Sequence, residues 1–172
     1  FLLCTTVRNL LKHAPNDWRT LHGLSDPALA DLLDEMRRYD APLGAIERYA
    51  GDDRTDSRNH GITLGGVRVP KGCLIMGMLG SANRDDAVFG QDAGQLMVGR
   101  FAGRPDGSTA RHLALGEGAR DCIGTPLQHL TVPAALRALS RARPDLQLVS
   151  PQAEPPWIPN IYFRSFERLL VQ

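Results

Sequence analysis

The spacing of apolar residues changes period near Pro42, and that change restricts the fold more than any other feature of the chain. Before it, Leu2, Leu3, Val7, Leu10 and Leu11 recur on one face of a helix that stops before Pro15. Leu29, Leu32, Leu33 and Met36 do the same in a second helix, entered through the cap Ser25-Asp26-Pro27 and ended before Pro42. After it, GAIERYAG, ITLGGVRVPKG and CLIMGML are short β-branched or apolar runs separated by Gly, Pro and Asp, which predicts strands and hairpins in a small sheet. Residues 81–111 are rich in Asp, Gly and Arg and read as a long ordered loop with a short helical patch at 85–89. Helical spacing returns after Gly124 in LQHLTVPAALRALSRARP, where Pro133 is expected to kink or open the helix. The tail segments DLQLVS and FRSFERLLV alternate like two strands joined by PQAEPPWIPN. The predicted class is α+β, mainly α with small β sheets.

Charge and cysteine usage remove several classes of function. The 172 residues carry 20 basic and 19 acidic side chains spread along the chain, so neither nucleic acid nor an anionic membrane is an expected partner. Three cysteines at wide spacing, Cys4, Cys73 and Cys122, argue against a disulfide scaffold and fit a reducing compartment, with the cytoplasm as the expected location. No run is long and apolar enough to span a bilayer, and no signal-peptide pattern opens the chain. The first residue is Phe1, already in helical rhythm without a cap ahead of it, so the chain reads as a piece of something longer.

Three stretches carry polar chemistry. Glu35 and Arg38 lie three apart on the second helix, a spacing that by itself most often marks a surface ion pair of small value. S81-A-N-R-D-D86 is a polar knot suited to tying a loop to the main chain, or to an ordinary turn and cap. G116-E-G-A-R-D-C-I-G124 places Cys122 in a glycine-bracketed turn just ahead of a helix. There, inward-facing amides and the helix dipole favour a thiolate, the form that ligates metal. Arg120 adds positive charge or holds a separate anion. A dinucleotide fingerprint is excluded because Asp121 stands where a third glycine is needed. A zinc site of His112, Cys122 and His129 lacks paired ligand spacing. A buried inert cysteine is the remaining alternative.

The order of these pieces resembles the C-terminal part of a bacterial cytochrome P450, the haem-thiolate family, over essentially the whole chain. The matching landmarks are N9-L-L-K-H-A-P15 with Trp18, E35-M-R-R38-Y-D-A-P42, Arg48, G66-V-R-V-P-K-G72, S81-A-N-R-D85 with F89-G90, Arg100, and H112-L-A-L-G-E-G-A-R-D-C-I-G124 running into T125-P-L-Q-H-L130. Trp157-Ile158-Pro159, Arg164 and Leu169-Leu170-Val171 resemble its closing hairpin.

The resemblance implies one partial domain over residues 1–172, lacking the N-terminal half and most of the distal helix. It implies haem b as cofactor, with Cys122 as the proximal thiolate on iron. Arg48 and Arg120 would hold the propionates, assisted by His112, and Leu115, Gly116, Gly118 and Gly124 of the cysteine loop would also bind the cofactor. Glu35, Arg38 and Arg100 would form a buried cluster. Leu43, Ile46 and Trp157 would contact substrate. Leu115 stands where the family usually carries Phe, Pro133 interrupts the helix after the ligand, and Thr131 replaces an acid. C4-T-T6 reads as two helical threonines rather than an oxygen-handling pair. The implied activity is insertion of one oxygen atom of O2 into a small organic substrate, with electrons from a ferredoxin-type donor, the truncated chain alone being inactive. The alternatives are a non-catalytic accessory protein that activates a partner enzyme, and a haem protein completed by another chain or a second copy.

Overall fold

A computed structural model of the protein describes residues 1–51, 61–102 and 111–172. Four helices make the core: α1 (Leu2–His13), α2 (Pro15–Thr20), α3 (Asp26–Tyr39) and, late in the chain, α6 (Thr125–Ala142). Their apolar stripes meet around Val7, Leu10, Trp18, Leu21, Leu29, Leu32, Leu33, Met36, Leu136 and Leu146. Each stripe repeats at helical spacing, so burying it against its neighbours stabilises helices that are marginal alone. Ser25 caps α3 by accepting from the Ala28 N–H, with a proline in its first turn. Trp18 sits at the centre, its Nε1 donating to the Arg143 carbonyl at 3.0 Å while Ser140 donates to the Trp18 carbonyl at 2.9 Å. These bonds satisfy polar atoms inside the core and fix α2 against the end of α6.

The strands form two small antiparallel pairs. β1 (Ile46–Tyr49) pairs with β4 (Leu74–Gly77), Arg48 opposite Ile75. β2 (Gly61–Leu64) and β3 (Val67–Pro70) form a hairpin whose turn, Gly65-Gly66, has positive φ at both positions, +54° and +80°. A two-residue hairpin with that geometry follows the strand twist and favours glycine for its positive φ alone, since open space surrounds both positions. α4 (Leu79–Ala82) and α5 (Asp86–Phe89) lead into the 81–102 segment, so the expected loop contains more helix than its composition suggests. Its continuation over 103–110 lies outside the described residues.

The first helix ends at His13, ahead of Pro15 as expected, and α2 begins on that proline because Pro at the first position needs no N–H partner. Helix α6 contains Pro133 within its eighteen residues. One expectation is corrected. The tail does not build two strands: only the isolated bridges Leu148–Val171 and Trp157–Phe166 form, with a third from Leu43 to Phe163. Prolines at 151, 155, 156 and 159 remove the N–H groups that a continuous ladder requires.

Candidate functional site

The cysteine loop is held by its own backbone. Gly116 turns at φ +78°, and a Cβ there would meet the Arg120 carbonyl oxygen at 2.3 Å, so only glycine fits without movement. The turn lets the Cys122 N–H donate to the Leu115 carbonyl at 2.7 Å, closing the loop on itself. Two 3-10 turns, Leu113–Leu115 and Gly118–Arg120, flank the closure. Gly118 has φ +61° with open space around it, and Gly124 lies against the Cys122 sulfur, where a Cβ would sit 3.6 Å away. The Thr125 N–H donates to the Cys122 carbonyl at 3.0 Å as α6 begins. The half-buried sulfur is thus presented from a tight turn at the start of an eighteen-residue helix.

That sulfur lines a cavity of about 620 Å³. Leu43, Ile46 and Arg48 reach it from the chain after α3, Leu79 from α4, and Leu115, Gly116 and Arg120 from the loop; Phe163 comes from the tail. The Gly44 N–H donates to the Tyr162 carbonyl at 2.6 Å and Arg164 N–H to the Pro42 carbonyl at 2.9 Å, which seats Phe163 opposite Leu43. Arg48 donates to the neighbouring Glu47 carbonyl, and Arg120 makes no hydrogen bond or ion pair with another described side chain. Both guanidiniums are exposed and free to take an anionic group bidentately.

Beside the cavity, Glu35 and Arg38 are fully buried rather than the surface pair their spacing alone suggests. Arg38 Nε and Nη2 donate to the two Glu35 oxygens at 2.7 and 2.8 Å. Its remaining donors reach the carbonyls of Asn83, Ala93 and Gln95 at 2.7–2.8 Å. Arg100 Nε lies 3.2 Å from the Glu35 carboxylate and its Nη1 donates to Asp92 at 2.9 Å. Burial depresses the Arg100 cation, but the hydrogen bond to Asp92 and the charge of Glu35 outweigh it and raise its pKa. Asn83 links this cluster to the cysteine loop, because its Oδ1 accepts from the Leu113 N–H at 2.7 Å. The polar knot at 81–86 is therefore a tie between the two: Arg84 also donates to the Tyr39 carbonyl at 3.0 Å, and Asp85 caps α5.

Two expected contacts fall elsewhere. His112 does not line the cavity; it is buried beneath the loop with Nε2 3.3 Å from Asp34 and its ring edge-on to Phe101. Trp157 also turns away, packed on Phe166 at 4.3 Å and under Arg164 at 4.0 Å. Phe163, which no expectation named, lines the cavity where Trp157 does not. No periodic signal marks Phe163, since a cross-chain bridge to Leu43 puts it there. Arg37, next to Arg38 and equally unmarked, also lines the cavity. Gly118 and Gly124 shape the loop without reaching the cavity surface.

This architecture places a half-buried thiol on the wall of a largely apolar cavity, just ahead of a long helix. The sequence profile of the family Cytochrome P450 matches residues 13–139, and the chain belongs to that family. It is 32% identical to the cytochrome P450 monooxygenase PikC of Streptomyces venezuelae over 99% of its own length and 37% of that protein's. It is 31% identical to 6-deoxyerythronolide B hydroxylase of Saccharopolyspora erythraea, over 86% of this chain and 33% of that one. The structure of CYP164A2 from Mycobacterium smegmatis with econazole bound superposes with a TM-score of 0.77 at 29% identity, covering 99% of this chain and 37% of that one. The chain spans about a third of the length of the curated relatives it matches. Among the described residues, no helix is long and apolar enough to cross a membrane.

Proposed function

We propose that the chain is the haem-binding part of a cytochrome P450-type monooxygenase that inserts one atom of O2 into a small organic substrate. The observation that carries this reading is the convergence on one cavity of the Cys122 sulfur with Arg48 and Arg120, from separate stretches of chain. The residues suit haem b: a thiol for the iron, guanidiniums for two carboxylates, and apolar Leu43, Ile46, Leu79, Leu115 and Phe163 for the ring and substrate. Haem, when bound, supplies the oxygen chemistry, which thiolate ligation favours.

The chain's own contributions are positional. The Gly116 turn and the Leu115 carbonyl hold Cys122 at one place, so the sulfur need not be ordered when it ligates. Arg48 and Arg120 orient the cofactor through its carboxylates. Leu43, Ile46 and Phe163 exclude water and offer an apolar face to the substrate. The Glu35, Arg38 and Arg100 cluster, through Asn83, keeps the loop in register with α3. His112 acts from beneath the loop by anchoring it to Asp34. Electrons come from a ferredoxin-type donor in the cytoplasm. As a single partial domain, the chain needs further polypeptide, or a second chain, for oxygen handling.

A second reading, an accessory protein that docks on a partner, is supported by the exposed apolar side chains Ile123, Leu127 and Leu130 on one side of the start of α6. Titration of the chain with haem separates the two. One haem per chain, lost in Cys122→Ser, supports the monooxygenase reading, with peroxide-driven product from a panel of small apolar substrates expected only once the remaining polypeptide is supplied. Absence of haem uptake rules it out and leaves the accessory reading.

A further inference from the structure

Arg37 is a buried cation to which the reading above gives no task. It is 2% exposed, yet it lines the cavity that holds Cys122, Arg48 and Arg120. Its neighbour Arg38 has every guanidinium nitrogen bonded to protein. Arg37 makes one such bond, from Nη1 to Asp34 at 2.7 Å, and its Nε is buried with no partner among the described residues. A buried donor without an acceptor is costly, so one that persists points to an acceptor the polypeptide does not supply.

The surroundings narrow the source of that acceptor. On the side facing α6, Arg37 borders a groove with Leu29, Leu33, Leu130 and Pro133, whose carboxylates are already engaged. Asp34 is shared between Arg37 and His112, and Asp26 accepts from Arg137 at 2.7 Å. On the other side lies the cavity, whose wall carries the cations Arg37, Arg48 and Arg120 against the single carboxylate Glu117. That balance complements a ligand with two negative charges better than it complements a neutral one.

We propose that Arg37 is an anion-binding residue of the Cys122 cavity, a third guanidinium that receives a carboxylate of the ligand filling it. Asp34 holds one edge of the guanidinium and leaves the rest for the ligand. The proposal rests on the reading that this ligand is haem, whose two carboxylates are its anionic groups.

The test titrates the full chain with haem and with haem dimethyl ester, in which both carboxylates are masked, following the Soret absorption. Wild type is expected to bind the free acid more tightly than the ester. Arg37→Gln should cut that preference about tenfold, the scale of one hydrogen bond to a charged group, and leave the Kd for the ester unchanged. Arg37→Lys, which keeps the charge and loses the fork, should fall between them. An unchanged preference, or an equal loss for acid and ester, overturns the proposal while the haem reading stands. No Soret change in wild type overturns both. If circular dichroism shows Arg37→Gln unfolded, Arg37→Lys decides: a reduced preference with ester binding intact supports the role, and an unchanged one overturns it.

Discussion

At the scale of single residues, the account rests on positions where chemistry leaves one choice. Glu35 is fully buried and takes bonds from Arg38, Arg100 and the Met97 N–H. Glu35→Gln keeps the shape and strands two buried cations, so it should destabilise the chain by about 3–5 kcal/mol in urea unfolding. A loss under 1 kcal/mol would mean that the cluster is solvated. Gly116 and Gly118 both have positive φ, but only Gly116 faces a backbone carbonyl within 2.3 Å of a Cβ. Gly116→Ala should therefore cost about 2–3 kcal/mol, against about 1 kcal/mol for Gly118→Ala, when their thermal unfolding is compared. Equal costs would show that the loop relaxes freely around residue 116.

The helices and strands show how much the sequence reveals and where it stops. α1 and α3 are legible because their apolar residues repeat at helical spacing, and β1 to β4 because short apolar runs are cut by Gly and Pro. α2 is hidden, since six residues with one buried side chain, Trp18, hold too little periodicity to register. The tail misleads, because its alternation is real while its prolines prevent a ladder. At the site, Cys122, Arg48, Arg120, Leu115, Gly116, Leu43 and Ile46 do share one cavity. Phe163 and Arg37 were not legible because contacts distant in sequence bring them there, and His112 and Trp157 find nearer partners. In α6, Pro133 withholds an N–H from an otherwise continuous helix. Pro133→Ala should raise stability by about 1–3 kcal/mol, read as an increase in the urea midpoint. The tail docks on α1 through Glu154, which accepts from Lys12 and Arg8 at 2.5–2.6 Å. The Lys12 hydrogen bond leads the causes that hold Glu154 below its usual carboxylate range. Its folded pKa being depressed, its contribution is full above the unfolded value near 4.5 and fades as pH falls through the lower folded value. The hydrogen-exchange protection of residues 148–171, relative to the unfolded chain at the same pH, should fall across that acid window. In Glu154→Gln it should already be reduced at neutral pH and show a smaller acid step.

On the scale of the whole molecule, two rigid parts converge on the loop that carries Cys122. The helical core and the Glu35 cluster exist without reference to any ligand, yet both brace the loop that carries Cys122, through α6 on one side and Asn83 on the other. Such bracing is expected where a metal ligand must be held against its own mobility. Membership of the cytochrome P450 family and the cavity beside Cys122 point to the same group, haem. The direct measurement is the absorption spectrum of the haem-loaded full chain, reduced under carbon monoxide. The account predicts the red-shifted Soret band of thiolate-ligated iron, absent in Cys122→Ser and present in Cys4→Ser and Cys73→Ser. A spectrum without that band in the wild type, or one that Cys122→Ser leaves unchanged, would contradict it.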